Sequence, residues 1–185
     1  MSAVPTGGRS TSSDEVPPLQ ALLQPQPPWL SPPVLERLEC LERGHLQAFG
    51  RPLLAGDPDR PLRLRAQELF AAAEVVLAHD GADPGLDPGP RLIYANCAAL
   101  RLWRRPWAEL VGMPSRLTAE PAQRSSRSQA LTQALRSGGI RGYAGIRIDS
   151  QGRRFQLSGA RIWSLIGADG TTCGQAAAFE NWWWI

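Results

Sequence analysis

The end of the chain constrains the fold most. Two long runs rich in apolar, β-branched and aromatic residues, GRRFQLSGARIWSLI and TTCGQAAAFENWWWI, meet across Gly167-Ala168-Asp169-Gly170. A shorter run, GIRGYAGIRID, precedes them across Ser150-Gln151-Gly152. Runs of this kind joined by turn residues pair as hairpins, so three antiparallel strands in succession form a meander. In the first, strict alternation puts Ile140, Gly142, Ala144, Ile146 and Ile148 on one face. In the second, Phe155, Leu157, Trp163 and Leu165 share a face, and Arg161 falls on it too unless Gly159 marks a bulge. The third, from Thr172 to Trp183, is apolar on both faces and cannot be oriented by its period.

Upstream, the pattern predicts short helices and two more strands. Residues 1–30 are rich in Ser, Gly and Pro, and 8 of the 17 prolines fall within 1–33, so this segment reads as a disordered tail. Ser31-Pro32-Pro33 then opens a helix over 34–49 with Leu35, Leu38, Leu41, Leu46 and Phe49 along one stripe. That stripe needs a partner, either the sheet or a second chain. A linker to 61 and a helix over 62–73 lead into a strand at 75–79. Residues 80–90 are turn chemistry throughout, and 91–95 is the next strand. Asn96 caps a helix carrying Ala98, Ala99, Leu100, Leu102 and Trp103; Pro106 to Gly112 makes a further turn; 121–137 reads as a longer helix. The domain proper therefore spans 62–185, after the tail and an N-terminal helix with linker at 31–61.

Composition excludes several chemistries. All 20 basic residues are arginine, so neither a Schiff-base nor a phosphate-loop lysine exists. Cys40, Cys97 and Cys173 form no CxxC pair, and no metal site is expected from them. Three sparse cysteines, without a signal segment in 1–30 or a run long enough to span a bilayer, point to the cytoplasm. Residues 1–90 carry a net charge of −5 and residues 91–136 a net charge of +6, which favours internal complementarity. The arginines are scattered rather than grouped with aromatics, so nucleic acid is not an expected partner. No nucleophile–base pair, paired carboxylates or nucleotide-binding motif is present, and no catalytic residue or enzymatic activity is expected.

The order of elements, with RLIYANCAALRLW followed by WAELVGMPSRL, resembles that of PAS domains. The segments YANCAALRLW, WAEL, MPSRLTAEP, GRRF, IW, CGQAAAF and NWWWI resemble the MEKHLA family, a PAS-like domain, over about residues 30–185. The hexapeptide that gives the family its name is absent. The resemblance implies an α+β fold, a five-stranded antiparallel sheet with helices on one face, and a sensory or regulatory role in which a small ligand sits between sheet and helices. It also implies signalling through dimer or partner contacts.

Neither cofactor that PAS domains commonly hold is expected. Asn96-Cys97 lies directly after a strand and continues Ala-Ala-Leu, unlike the Asn-Cys of flavin photoreceptors, which sits on a later helix and continues Arg-Phe-Leu-Gln. Residues 113–137, where the resemblance would put a haem ligand, contain no histidine. The pocket candidates are Tyr94, Asn96, Trp103, Trp107, Trp163, His79, Arg116 and Arg161. Arg116 in the pocket-bordering connector grips an anion or pairs with Glu120, four residues on. Arg161, if inward, needs a partner in either case. The three consecutive tryptophans 182–184 cannot all enter one core, because alternate residues face opposite ways. Trp182 and Trp184, with Leu35, Leu38 and Leu41, are therefore the interface candidates for a homodimer or a protein partner. The alternative is an interaction domain with a filled core and no ligand.

Overall fold

The computed structural model describes residues 26–83 and 86–185. The tail expected over 1–30 lies outside the described residues as far as 25. Its last part is folded: Pro28–Leu30 forms a 3-10 turn. Trp29 explains the order, because its ring stacks on Phe70 at 3.6 Å and its Nε1 donates to Gln67 at 3.0 Å. One aromatic with a fitted partner anchors a proline-rich segment that composition alone reads as loose.

Six strands, β1 (Val75–Asp80), β2 (Leu92–Ala95), β3 (Gly139–Ile148), β4 (Arg154–Ile166), β5 (Thr172–Phe179) and β6 (Asn181–Trp184), form one antiparallel sheet. Its order is β2-β1-β5-β4-β3, with β6 also on β4. The expected final strand is thus two, parted at Glu180 but held in one register along β4, from Leu165↔Gly174 through Arg161↔Ala178 to Phe155↔Trp184. Helices α1 (Pro32–Phe49), α2 (Leu62–Ala71), α3 (Cys97–Trp103), α4 (Trp107–Leu110) and α5 (Arg124–Ser137) complete the fold.

Two glycines decide which side chains face which helices. β3 carries an extra residue around Gly142 (φ 76°) and β4 one around Gly159 (φ 71°), each in the left-handed region that glycine tolerates. Each bulge inverts the alternation beyond it. Phe155 and Leu157 therefore pack with α3 and α4 residues Ala99, Leu102, Trp103 and Leu110, whereas Trp163 and Leu165 pack with Val34, Leu38 and Leu41 of α1 on the opposite face. The expectation of one shared face in β4 is corrected by the bulge at Gly159. The face assigned to β3 is corrected likewise: Ile140 and Tyr143 meet Ala130 and Leu131 of α5, and it is Arg147, not Ile146 or Ile148, that is buried.

Helices α3, α4 and α5 thus cover one face, and α1 covers the other. The leucine stripe of α1 finds the sheet: Leu38 and Leu41 are 1% and 0% exposed, which removes them from any free surface. Leu35 is partly buried against the same cluster. Burying a side chain of this size contributes about 1.5–3 kcal/mol. Trp163 seals the contact, its Nε1 donating to the Leu41 carbonyl at 3.0 Å and its ring meeting His45 edge-on at 5.0 Å. The helix comes close because residue 44 is glycine; a Cβ there would lie 1.9 Å from the Ser164 carbonyl oxygen. Gly50, in the left-handed conformation (φ 68°), ends the helix.

Gly44→Ala is therefore expected to push α1 off β4 and to destabilise the fold by about 1–3 kcal/mol. Chemical denaturation checks this; an unchanged midpoint would mean that the close approach does not matter.

Candidate functional site

Between the sheet and α5 lies a cavity of about 50 Å³, lined by β-strand residues including Leu77, His79, Leu157 and Ile162, by Trp103 of α3, and by Arg127 and Leu131 of α5. Its position follows from the inverted phase of β3 and β4, which turns Tyr143, Arg147 and Ala160 inward. The walls are mostly apolar, and no carboxylate lines them. The helix above is fixed by Gln175 of β5, whose buried Nε2 donates to the Leu131 carbonyl at 2.9 Å.

The polar atoms facing this space are poorly served. The Nε2 of His79 and the Nε1 of Trp103 are buried without a hydrogen-bond partner among the described residues. His79 Nδ1 lies 2.7 Å from the Asp80 carbonyl and so carries the proton, leaving Nε2 as an acceptor. Burial lowers the His79 pKa to about 4, and the nearby Arg127 adds to the effect. Arg147 donates to the Tyr143 hydroxyl at 2.9 Å and to the Ile146 carbonyl at 2.8 Å, which uses two of its five donors. Burial pulls Arg127 down to about 10, with Arg147 next in effect.

The sequence candidates divide. His79 and Trp103 line the cavity. Tyr94 and Trp163 belong to the core on the α1 face. Trp107 also packs there, edge-on to Tyr94 at 5.8 Å and 6.3 Å from Phe70. Asn96 is a structural clamp: its Oδ1 accepts from Val76 N at 3.0 Å and caps α3 at Ala99 N at 3.1 Å, while its Nδ2 donates to Glu74 O at 2.6 Å. Arg161 turns to the α1 face and is held by both carboxylate oxygens of Glu74 at 2.6 and 2.7 Å. Arg116 pairs with neither an inward anion nor Glu120. It holds Asp87 at 2.6 Å, tying the basic middle of the chain to the acidic first half, and Glu120 instead meets Arg154 at 2.9 Å.

Arg127 and Arg147 were not among the candidates. Arg127 precedes Ala130, Leu131 and Ala134 by three, four and seven residues, the spacing of one helix face. That signal was available. Arg147 was hidden by the bulge, since unbroken alternation turns it to solvent.

A profile of the MEKHLA domain matches residues 35–184. The chain belongs to the MEKHLA domain family. Among solved structures, this MEKHLA domain is similar to a PAS domain from Colwellia psychrerythraea at 14% identity, with a TM-score of 0.55 over 63% of this chain and 92% of that one. It is also similar to a light-oxygen-voltage domain studied with a flavin analogue, at 16% identity and a TM-score of 0.50, over 66% of this chain and 84% of that one. An RNA-binding light-oxygen-voltage receptor matches at 19% identity and a TM-score of 0.50, over 70% of this chain but 36% of the receptor. No curated protein matches the chain. These likenesses establish a PAS-like fold. A flavin does not fit this MEKHLA domain as it stands: about 50 Å³ is far too little for a tricyclic ring, and none of Cys40, Cys97 and Cys173 lines the cavity.

Two buried histidines set the acid response of the MEKHLA domain. Burial holds the pKa of both His45 and His79 at about 4, below the ordinary 6.5. Between those values the unfolded chain takes up protons that the folded chain refuses, so stability falls as pH drops from 6.5 towards 4. The loss approaches about 3 kcal/mol for each histidine. Urea midpoints at pH 7, 5.5 and 4.5 are expected to decline, and His79→Gln to remove about half of that slope. A slope indifferent to His79→Gln would mean that its ring is not held neutral.

Proposed function

We propose that this chain is a sensory or regulatory module that binds a small molecule between the sheet and α5, and not a catalyst. The observation that carries the reading is the cavity itself, where apolar walls surround buried polar atoms that lack partners. Apolar walls with a few convergent polar groups are the usual make-up of a small-molecule pocket. Binding favours one sheet-to-helix packing over another, since a ligand shifts a conformational balance only by its different affinities for the two states. Strand β4 carries such a shift through the sheet, because neighbouring residues of β4 touch α5 and α1: Ile162 meets Ala130 and Leu131, while Trp163 meets Leu41.

Output in this reading passes to a second copy of the chain. Strand β6 pairs with β4 along one edge, and its other edge is unpaired among the described residues. Trp182 and Trp184 sit edge-on to Phe155 at 6.1 and 5.7 Å, while Trp183 is 51% exposed. An unpaired strand edge beside exposed aromatic area is a template for self-association. The free thiols Cys40, Cys97 and Cys173 suit a cytoplasmic setting. No described helix is long and apolar enough to cross a membrane.

Native mass spectrometry of freshly purified protein is expected to show an added small mass that denaturation releases. Its absence across independent preparations would favour a ligand-free interaction domain. Sedimentation equilibrium is expected to show a dimer that Trp183→Glu weakens at least about tenfold, an effect typical of an aromatic interface anchor. A monomer at all concentrations would remove the dimer from the proposal.

A further inference from the structure

We infer that the cavity beneath α5 takes a small hydroxycarboxylate, its carboxylate on Arg127 and Arg147 and its hydroxyl donating to His79 Nε2. The inference rests on the reading of this cavity as a ligand site and adds the chemical class of what enters it.

Charge comes first. Two guanidinium groups line one small space with no carboxylate in its walls, and burial first and Arg147 second weaken the hold of Arg127 on its proton. Arg127 makes no hydrogen bond or ion pair among the described residues, and Arg147 is 6% exposed, with its two bonds going to neutral oxygens. Like charges sharing one small space, Arg147 buried and Arg127 half-buried, are costly without a counter-ion, so a chain that keeps them there has an anion to receive. Guanidinium pairs suit planar carboxylates, which they hold through parallel N–H donors.

The neutral polar atoms narrow the class. Trp103 Nε1 is a donor without a partner and adds to the carboxylate end. His79 Nε2 is an acceptor without a partner, because Nδ1 spends its proton on the Asp80 carbonyl. A bare carboxylate leaves that acceptor unmet, and a ligand hydroxyl satisfies it. The remaining surface, Leu131, Leu157 and Ile162 among it, fits a short alkyl group. A volume of about 50 Å³ holds roughly three to five waters, which limits the guest to about four to six non-hydrogen atoms. A hydroxyacid of two or three carbons meets every requirement.

The test uses the full chain with lactate, propionate and the neutral lactamide, each at fixed ionic strength with chloride as the balancing anion. Thermal unfolding and the indole N–H resonance of Trp103 are the two readouts. Lactate is expected to raise the unfolding midpoint and to move the Trp103 signal, with propionate at least about fivefold weaker for want of the hydroxyl. Lactamide is expected to do neither. Arg127→Leu is expected to abolish the lactate effect while leaving the ligand-free midpoint unchanged or higher, because it removes an unpaired charge from an apolar wall. That combination separates a binding role from a structural one. If propionate matches lactate, the hydroxyl assignment falls. If lactamide acts as well as lactate, in the parent and in Arg127→Leu alike, the anion is overturned while the cavity stands as a site for neutral ligands. If no compound moves either readout and native mass spectrometry finds no bound mass, the cavity is not a ligand site and both readings fall.

Discussion

The inversion of side-chain phase at Gly142 and Gly159 governs the rest of this structure. A β-strand has a strict period of two, so one added residue exchanges its faces. Without the bulge in β4, Trp163, Leu165 and Arg161 would join Phe155 and Leu157 beneath the helices, leaving no apolar ground for α1. With it, the same strand supplies a core to each face in turn. The paired bulge in β3 keeps the two strands in step on either side and brings Tyr143 and Arg147 in together. Both faces of the sheet are thereby built by two residues that lack a side chain.

The two faces differ in how completely they are filled. On the α1 side, Trp163, Tyr94 and Trp107 form a contiguous aromatic core, and Arg161 meets Glu74 through two short bonds. Asn96 locks the junction of β1, β2 and α3 with bonds from both ends of its amide. An amide bonded at both ends in this way rigidifies its surroundings. The α5 side is different: its helix buries few apolar residues, Ala130, Leu131 and Ala134, and leaves a void beside them. An element held by little apolar contact opens at low cost. The rigid face supplies a reference against which the looser face moves.

The meander, the capped α3 and the amphipathic α1 were legible because each follows from a local pattern: period two, an Asn before a small-residue run, and leucines at helical spacing. Even the bulge at Gly159 was visible as an alternative, since Arg161 on an unbroken apolar face demanded an explanation. The site was harder to read. Asn96 and Trp163 look like pocket residues by type, yet their polar atoms are consumed by backbone partners that pattern cannot reveal. Arg147 was lost to a bulge at a glycine that alternation treats as an ordinary strand position. Arg116 answers to Asp87, 29 residues away, and not to Glu120 one helical turn along, because a 3-10 turn at Ser115–Thr118 and the extended Ala119 break the helical spacing that such a pairing assumes.

Arginines throughout the chain show what a merely structural guanidinium does here. Arg65 finds Glu42, Arg60 finds Glu68, Arg161 finds Glu74, and Arg154 finds Glu120. These pairs form even where the partners are half-exposed to water and the pairing contributes little. Arg127 has no such partner among the described residues, although it lines the cavity on the sheet-facing side of α5 beside another arginine. Its depressed pKa expresses the cost, since the folded chain strains to keep the group charged. Natural proteins retain such destabilising arrangements where function needs them, and the carboxylate-paired arginines elsewhere in the same chain show that composition alone does not force this one.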